Sequence, residues 1–473
     1  MRSHPIEHGG NLLRLLVHIG LGHGCDLTGR ACTRAECRWR TADARRTPRS
    51  TGRNSASGPR ERRYDEGVKL HVSTTRIDDI APFLAHIDPH DPLLFIRRGE
   101  GIAGIGEAVR LEFSGPERMR EAAEAWRRLA AEASVDDEVA LAGSGLVGFG
   151  SFAFSDDSSA VSVLIVPQII LGRRDGVDWL TRVDGADFGE RFSLGDEVHL
   201  QLDEPSFSAD AYAASVERAV EAIGRGEVSK VVLARPLDAE LPEGADLRRI
   251  ARDLAFAYPD TYTFAVDGLI GSSPETLIRS EKGELSARVL AGSAGRGTDA
   301  ASDAAAALAL ATSQKDLDEH AFALRSLLMS LDGYASRILT GESPFTLKLP
   351  NLWHLASDVT GQLTGDSSSL DLIDALHPTA AVAGTPTADA LRLIAALEPF
   401  DRGRYAGPVG WVGADGDGEW AIALRCAQVV RAPAGETATI RAFAGAGIVA
   451  ESEAGREVAE TTMKFMPIAD ALG

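Results

Sequence analysis

The sequence predicts an α+β fold built mainly from antiparallel sheet. Three observations point there. Strand-like segments come in runs and do not alternate steadily with helices. Gly-rich turns separate those strands, as hairpins require. No internal repeat and no clear linker follows residue 67, so residues 68–473 read as one large domain.

The elements follow in order. VKLHVSTTRI (68–77) opens the ordered region, and LLFIRRGEGIAGIGEAVRLEF (93–113) reads as strands around a Gly-rich turn. That turn contains a formal G-x-G-x-x-G at Gly99, Gly101 and Gly104. A dinucleotide site needs a helix to start there, but the residues alternate like a strand. GPERMREAAEAWRRLAAEA (115–133) is an amphipathic helix, followed by the strand-like GLVGFGSFAF and AVSVLIVPQIIL. Residues 208–227 form a helix with Ser208 as N-cap, and VSKVVLARPL (228–237) is a β-branched strand. YTFAVDGLIGSSPETLIRS and GELSARVLAGSAGRG continue with strands and Gly turns, and a long Ala-rich helix is expected over 300–333. NLWHLASDVTGQL comes next, then helices near 369–376 and 386–398. The strands GPVGWVGA, EWAIALRCAQVV and TATIRAFAGAGIV follow, and a final helix spans 454–470.

Composition narrows the function. The net charge of −20 hides two regions: residues 1–67 carry 13 Arg and 7 acids (+6), and the remainder carries 36 bases and 62 acids (−26). An acidic body argues against nucleic acid as partner. The basic head, rich in Arg, Gly, Ser and Thr, reads as a disordered extension or as a start site placed too far upstream. It holds Cys25, Cys32 and Cys37, whose uneven spacing does not make a zinc site. The body has only Cys426, which suits a reducing cytoplasm. No apolar run is long enough to span a membrane. With 43 Arg against 6 Lys, a Lys inside an apolar element invites a role Arg cannot fill, such as losing a proton near neutral pH.

The stretch SQKDLDEHAFALRSL (313–327) carries Asp316, Asp318, Glu319 and His320 on a helix. Asp316 and Glu319 share one face, at the border of an apolar stripe of Leu317, Ala321, Leu324 and Leu328. REVAETTMKF (456–465) repeats the design: Glu457, Glu460 and Lys464 on one face, beside Val458, Thr462 and Phe465. Two such helices are either independent solvated faces or two halves of a site for a hard divalent cation. Lys230, in VSKVVLARPL, is either a desolvated base or a strand-end Lys with its head in water. Glu275 follows a Ser-Ser-Pro turn beside Leu277 and Ile278, where an acid of raised pKa or a plain loop residue fits. Arg425 is an isolated cation in an apolar strand, suited to a carboxylate ligand or to a structural ion pair.

Taken together, KVVLAR, SSPETLIR, LAGS, SQKDLDEH, LWHLASDVTG, LHPTAAVAGTP, ALRCAQ, FAGAGIV and EVAETTMK resemble the chorismate-utilising enzymes. These include isochorismate synthase, salicylate synthase and the first components of anthranilate and aminodeoxychorismate synthase. The motifs occur in family order over about 208–466. LFIRRGEGIAGIGEA and GFGSFAF are similar to the family's amino-terminal half. The resemblance implies antiparallel sheets packed face to face, with outer helices. It implies Mg²⁺ held mainly by Glu319 and Glu460, with Asp316 and Glu457 close by through water. It implies a chorismate pocket lined by Gly292, Ser293, His354, Ala381, Tyr405, Arg425, Gly445, Gly447 and Lys464.

The same resemblance separates the branches. Ala291 stands where aminodeoxychorismate synthases place a nucleophilic Lys, and Lys230 stands where anthranilate synthases usually have Gln. Lys230 as base and Glu275 as acid therefore point to the branches that use water. LHPTAAVAGTP, with Ala381, resembles isochorismate synthase more than salicylate synthase. EVAET departs from the family in lacking the aromatic that often follows the first Glu. The expected enzyme is an isomerase that needs no glutaminase subunit and serves menaquinone or siderophore synthesis.

Overall fold

The computed structural model describes residues 69–473 apart from 81, 190, 198, 206, 349–351, 366 and 432–436. The readings made for the basic head and its three cysteines lie outside the described residues.

Period-two sorting of side chains builds the molecule. In the strand Leu93–Arg97, Leu93 and Phe95 enter one hydrophobic core while Leu94 and Ile96 enter another. In Tyr262–Val266, Tyr262, Phe264 and Val266 take the first core and Ala265 the second. Strands that are apolar on both faces are covered on both faces. They belong to a twelve-stranded sheet, and a ten-stranded sheet supplies Phe149, Leu164 and Trp420 to the first core. The two sheets thus pack face to face. The second core is closed by the helices Arg248–Ala257, through Ile250 and Leu254, and Ala454–Leu472, through Phe465 and Ile468. Pairing is antiparallel except for His71–Ile77 with Ser134–Asp137. This is the α+β architecture read from the sequence. No helix among the described residues is long and apolar enough to cross a membrane.

The Gly99 turn joins Leu93–Arg97 to Glu100–Ile105 as a hairpin, so the formal G-x-G-x-x-G is no phosphate loop. Ser208 caps Ala209–Gly224 by accepting from the Ala211 backbone N–H. Three expectations need correction. The helix expected over 300–333 is two helices, Ala300–Thr312 and Gln314–Ser330. Ser313 breaks it: its backbone is extended and its hydroxyl accepts from the Asp316 N–H, capping the second helix. EWAIALRCAQVV is also two elements, Gly418–Ile422 and Cys426–Val430, and Arg425 sits between them at φ +49°. Finally, the buried stripe of the last helix runs through Glu457, Thr461, Phe465 and Ile468, and Thr462 is exposed.

Candidate active site

The chain crosses between the sheets twice at neighbouring positions. Leu269–Ser273 lies in the twelve-stranded sheet and Thr276–Glu281 in the ten-stranded one, with Pro274 and Glu275 between. Gly418–Ile422 and Cys426–Val430 make the reverse crossing, with Arg425 at the turn. The crossings are tied together: Ile422 N–H donates to Glu275 O and Ser272 N–H to Arg425 O, each at 3.1 Å. A left-handed backbone is uncommon for Arg, and here the paired crossings hold it. Beside this seam opens a cavity of about 250 Å³. Every residue given a catalytic, metal-ligating or substrate-binding role from the sequence lines it.

Lys230 opens the strand Lys230–Glu240, which pairs with Thr439–Ile448. Gly447 is there for space: a Cβ on it would lie 2.9 Å from Lys230 Cε. Tyr405 stacks on Phe443 at 5.2 Å between centroids, and burial pushes its phenol well up, so it enters the cavity as a neutral hydroxyl. On the other sheet, Glu284–Gly295 loses register between Leu290 and Ser293. Gly292 occupies that irregularity at φ +84°, where a Cβ would sit 3.2 Å from Asp316 Cβ. Ser293 pairs with His354 across the sheet. Burial and the charges of Arg425 and Lys464 push the His354 imidazole down to about 3, so it is neutral.

The four carboxylates reach the cavity on two helices. His320, which the charge pattern did not explain, docks the first. It is buried, with Nδ1 on Ala291 O at 3.1 Å and Nε2 on Ser357 Oγ at 2.8 Å. Asp318 points away and accepts from Gln314. Arg235 docks the second helix, donating to Thr461 and Thr462 and lying over the Phe465 ring. Two side-chain amines lie against the acids: Lys230 Nζ on Glu319 at 2.5 Å and Lys464 Nζ on Glu460 at 2.7 Å. Lys464 also donates to Gly445 O. Burial and neighbouring Glu460 raise Glu457, against a hydrogen bond from Ser452.

This donor set consists of hard oxygens that collect negative charge, and cationic groups already lie against two of them. It therefore fits a hard divalent cation. Among the described residues no three His, Cys, Asp or Glu stand close enough to hold an ion by themselves. The fit is to an ion taking one or two carboxylates and completing its shell with water or substrate oxygens, as Mg²⁺ does.

Two groups define the rest of the chemistry. Glu275 is buried, and desolvation raises its carboxyl to about 7 although Lys230, Lys464 and Arg425 all oppose the rise. It can therefore hold a proton at neutral pH and give it up. Arg425 is desolvated, which lowers its pKa, and among the described residues none pairs with its guanidinium. A desolvated cation facing a cavity with no ion-paired partner of its own calls for an anionic ligand.

Sequence reasoning missed Ser452 and Arg402. Ser452 signals only through its position in the loop before Glu457. Arg402 sits three residues ahead of Tyr405, pairs with Glu398 at 2.7 Å and donates to the backbone carbonyls of Val382 and Val232. It lines the cavity with its guanidinium paired to these protein groups.

Residues 192–473 match the family model described as "Chorismate binding enzyme". The isochorismate synthase DhbC of Bacillus subtilis is 38% identical over 274 residues, covering 55% of this chain and 67% of DhbC. The isochorismate synthase MenF of the same organism is 31% identical over 407 residues, covering 79% of this chain and 85% of MenF. The structure of MenF from Escherichia coli superposes with a TM-score of 0.70 at 22% identity, covering 85% of this chain and 95% of that one. At that identity the likeness speaks to the fold.

Proposed function

The chain belongs to the chorismate-binding enzyme family, and from that premise we propose that it is a Mg²⁺-dependent isochorismate synthase. The observation that carries this reading is one cavity holding both an amine, Lys230, and a buried carboxyl near neutrality, Glu275. Addition of water at one carbon and loss of hydroxyl at another requires such a base and acid together.

Arg425, with no partner of its own, binds a substrate carboxylate, and the Tyr405 hydroxyl and the backbone around Gly445 and Gly447 shape the adjoining wall. Lys230 takes a proton from a water that attacks C2 of chorismate. Glu275 gives its proton to the C4 hydroxyl, which leaves as water while the double bonds shift. One water enters, one leaves, and the product is isochorismate. Glu319 and Glu460 would hold the ion, with Asp316 and Glu457 near through water. When bound, the ion supplies positive charge that neutralises a carboxylate without proton exchange. The enzyme acts alone on a small molecule in the cytoplasm.

Incubating the pure protein with chorismate and Mg²⁺, then separating products by HPLC, tests this. Isochorismate is the expected product. Salicylate with pyruvate, anthranilate formed only with ammonia, or metal binding without turnover would each replace the reading with another.

A further inference from the structure

Glu275 belongs to two cavities. The pocket that holds Lys230 ends at Glu275 and Ala381, and both also line a separate cavity of about 250 Å³. That second space runs beneath the helix Gln314–Ser330, past Ser326 and Ser330, to His377 and Thr379. His377 Nε2 donates to Phe154 O at 2.9 Å. Burial pushes the imidazole down to about 4, so it is neutral and Nδ1 is an acceptor. Nδ1 and the Thr379 hydroxyl are both buried without a hydrogen-bond partner. Paired omissions of this kind mark places where water completes the bonding. At about 30 Å³ per water, the cavity holds several. Ser326, Ser330 and Arg288 on its wall are only partly buried, so it reaches the surface.

The proposed reaction leaves Glu275 without its proton after each turnover, while the ligand occupies the other side of the carboxyl. We propose that this second cavity is a water-filled conduit through which Glu275 regains its proton from solvent, independently of the substrate mouth. The water nearest Glu275 gives a proton to the carboxylate and takes one from the next water, and the chain of waters ends at bulk. No bond to substrate changes and Glu275 returns to its starting protonation, while Lys230 gives up the proton it took from water on the substrate side, through the open mouth of the first cavity. Thr379 and His377 are positioning residues that hold the waters; neither touches substrate. The inference rests on the acid role assigned to Glu275 above.

Two variants test it: Ser326→Phe, which fills the conduit from its partly exposed side, and Thr379→Val, which keeps the shape and removes a water partner. Each is assayed with enzyme in excess, for the rate constant of a single turnover, and in steady state. Expected for both is a single-turnover rate within about twofold of the parent and a kcat lowered about tenfold, with KM held. The solvent deuterium isotope effect on kcat should also rise. Parallel loss of single-turnover and steady-state rates, or no loss of kcat in either variant, overturns the conduit. A parent protein that makes no isochorismate overturns the assigned function instead, and this inference with it.

Discussion

Consider the variant Glu275→Gln. Glu275 is about 8% exposed, and burial raises its carboxyl from an ordinary 4.5 to about 7 in the folded protein. The folded state therefore holds this proton more tightly than the unfolded chain does. Its contribution to stability is fully present below pH ~4.5 and is lost as the pH rises through about 7. At about 1.4 kcal/mol for each tenfold, the interval corresponds to a loss of about 3 kcal/mol, an order-of-magnitude figure. Gln does not titrate, so the variant escapes that loss. Any cost of burying its amide is the same at every pH. Urea unfolding of parent and variant at pH 4.5 and pH 8.5 isolates the difference. The variant should gain about 3 kcal/mol relative to the parent between the two pH values. Its turnover should fall on the order of 10²–10⁴-fold, because the proton donor is gone. A stability gap equal at both pH values would refute the reasoning, since Glu275 would then titrate like an exposed carboxylate. In the parent, kcat/KM should decline above about pH 7 as the acid ionises.

Lys230→Arg keeps the charge opposite Glu319 but removes the base; kcat should drop on the order of 10²–10⁴-fold while the melting temperature holds. Glu319→Gln and Glu460→Gln should each weaken Mg²⁺ binding in a calorimetric titration by roughly tenfold or more, since each removes one anionic oxygen donor. Gly447→Ala places a methyl 2.9 Å from Lys230 Cε and should lower kcat with little change in unfolding free energy. His320→Leu leaves Ala291 O and Ser357 Oγ unpaired; chemical denaturation should show a loss of about 1–3 kcal/mol, and the Mg²⁺ concentration for half-maximal activity should rise as the helix loosens.

Periodicity carries what the sequence shows about this fold. Near-continuous apolar runs in Leu93–Arg97 and Tyr262–Val266 mark strands buried on both faces, and the spacing of Asp316 with Glu319 and of Glu457 with Glu460 marks two helix edges. Periodicity does not show where a chain changes sheets. EWAIALRCAQVV is mostly apolar with no Gly or Pro to break it, so the crossing at Arg425 is invisible until the partner strands are known. The break at Ser313 was legible in principle as an N-cap, but flanking Ala-rich sequence reads as helix on both sides. The site residues were found through the motifs, because local spacing cannot say that residues 230, 275, 319 and 460 share a cavity. His320 escaped assignment because a buried, hydrogen-bonded His in an acidic run looks the same in sequence as a ligand or a surface residue.

The claim at the centre is that Lys230 and Glu275 exchange one hydroxyl for another through water. Turnover in H₂¹⁸O, with the product recovered and analysed by mass spectrometry, tests it most directly. The expected product is isochorismate carrying ¹⁸O in its C2 hydroxyl. An unlabelled C2 hydroxyl, showing that the C4 oxygen had moved across the ring, would contradict it.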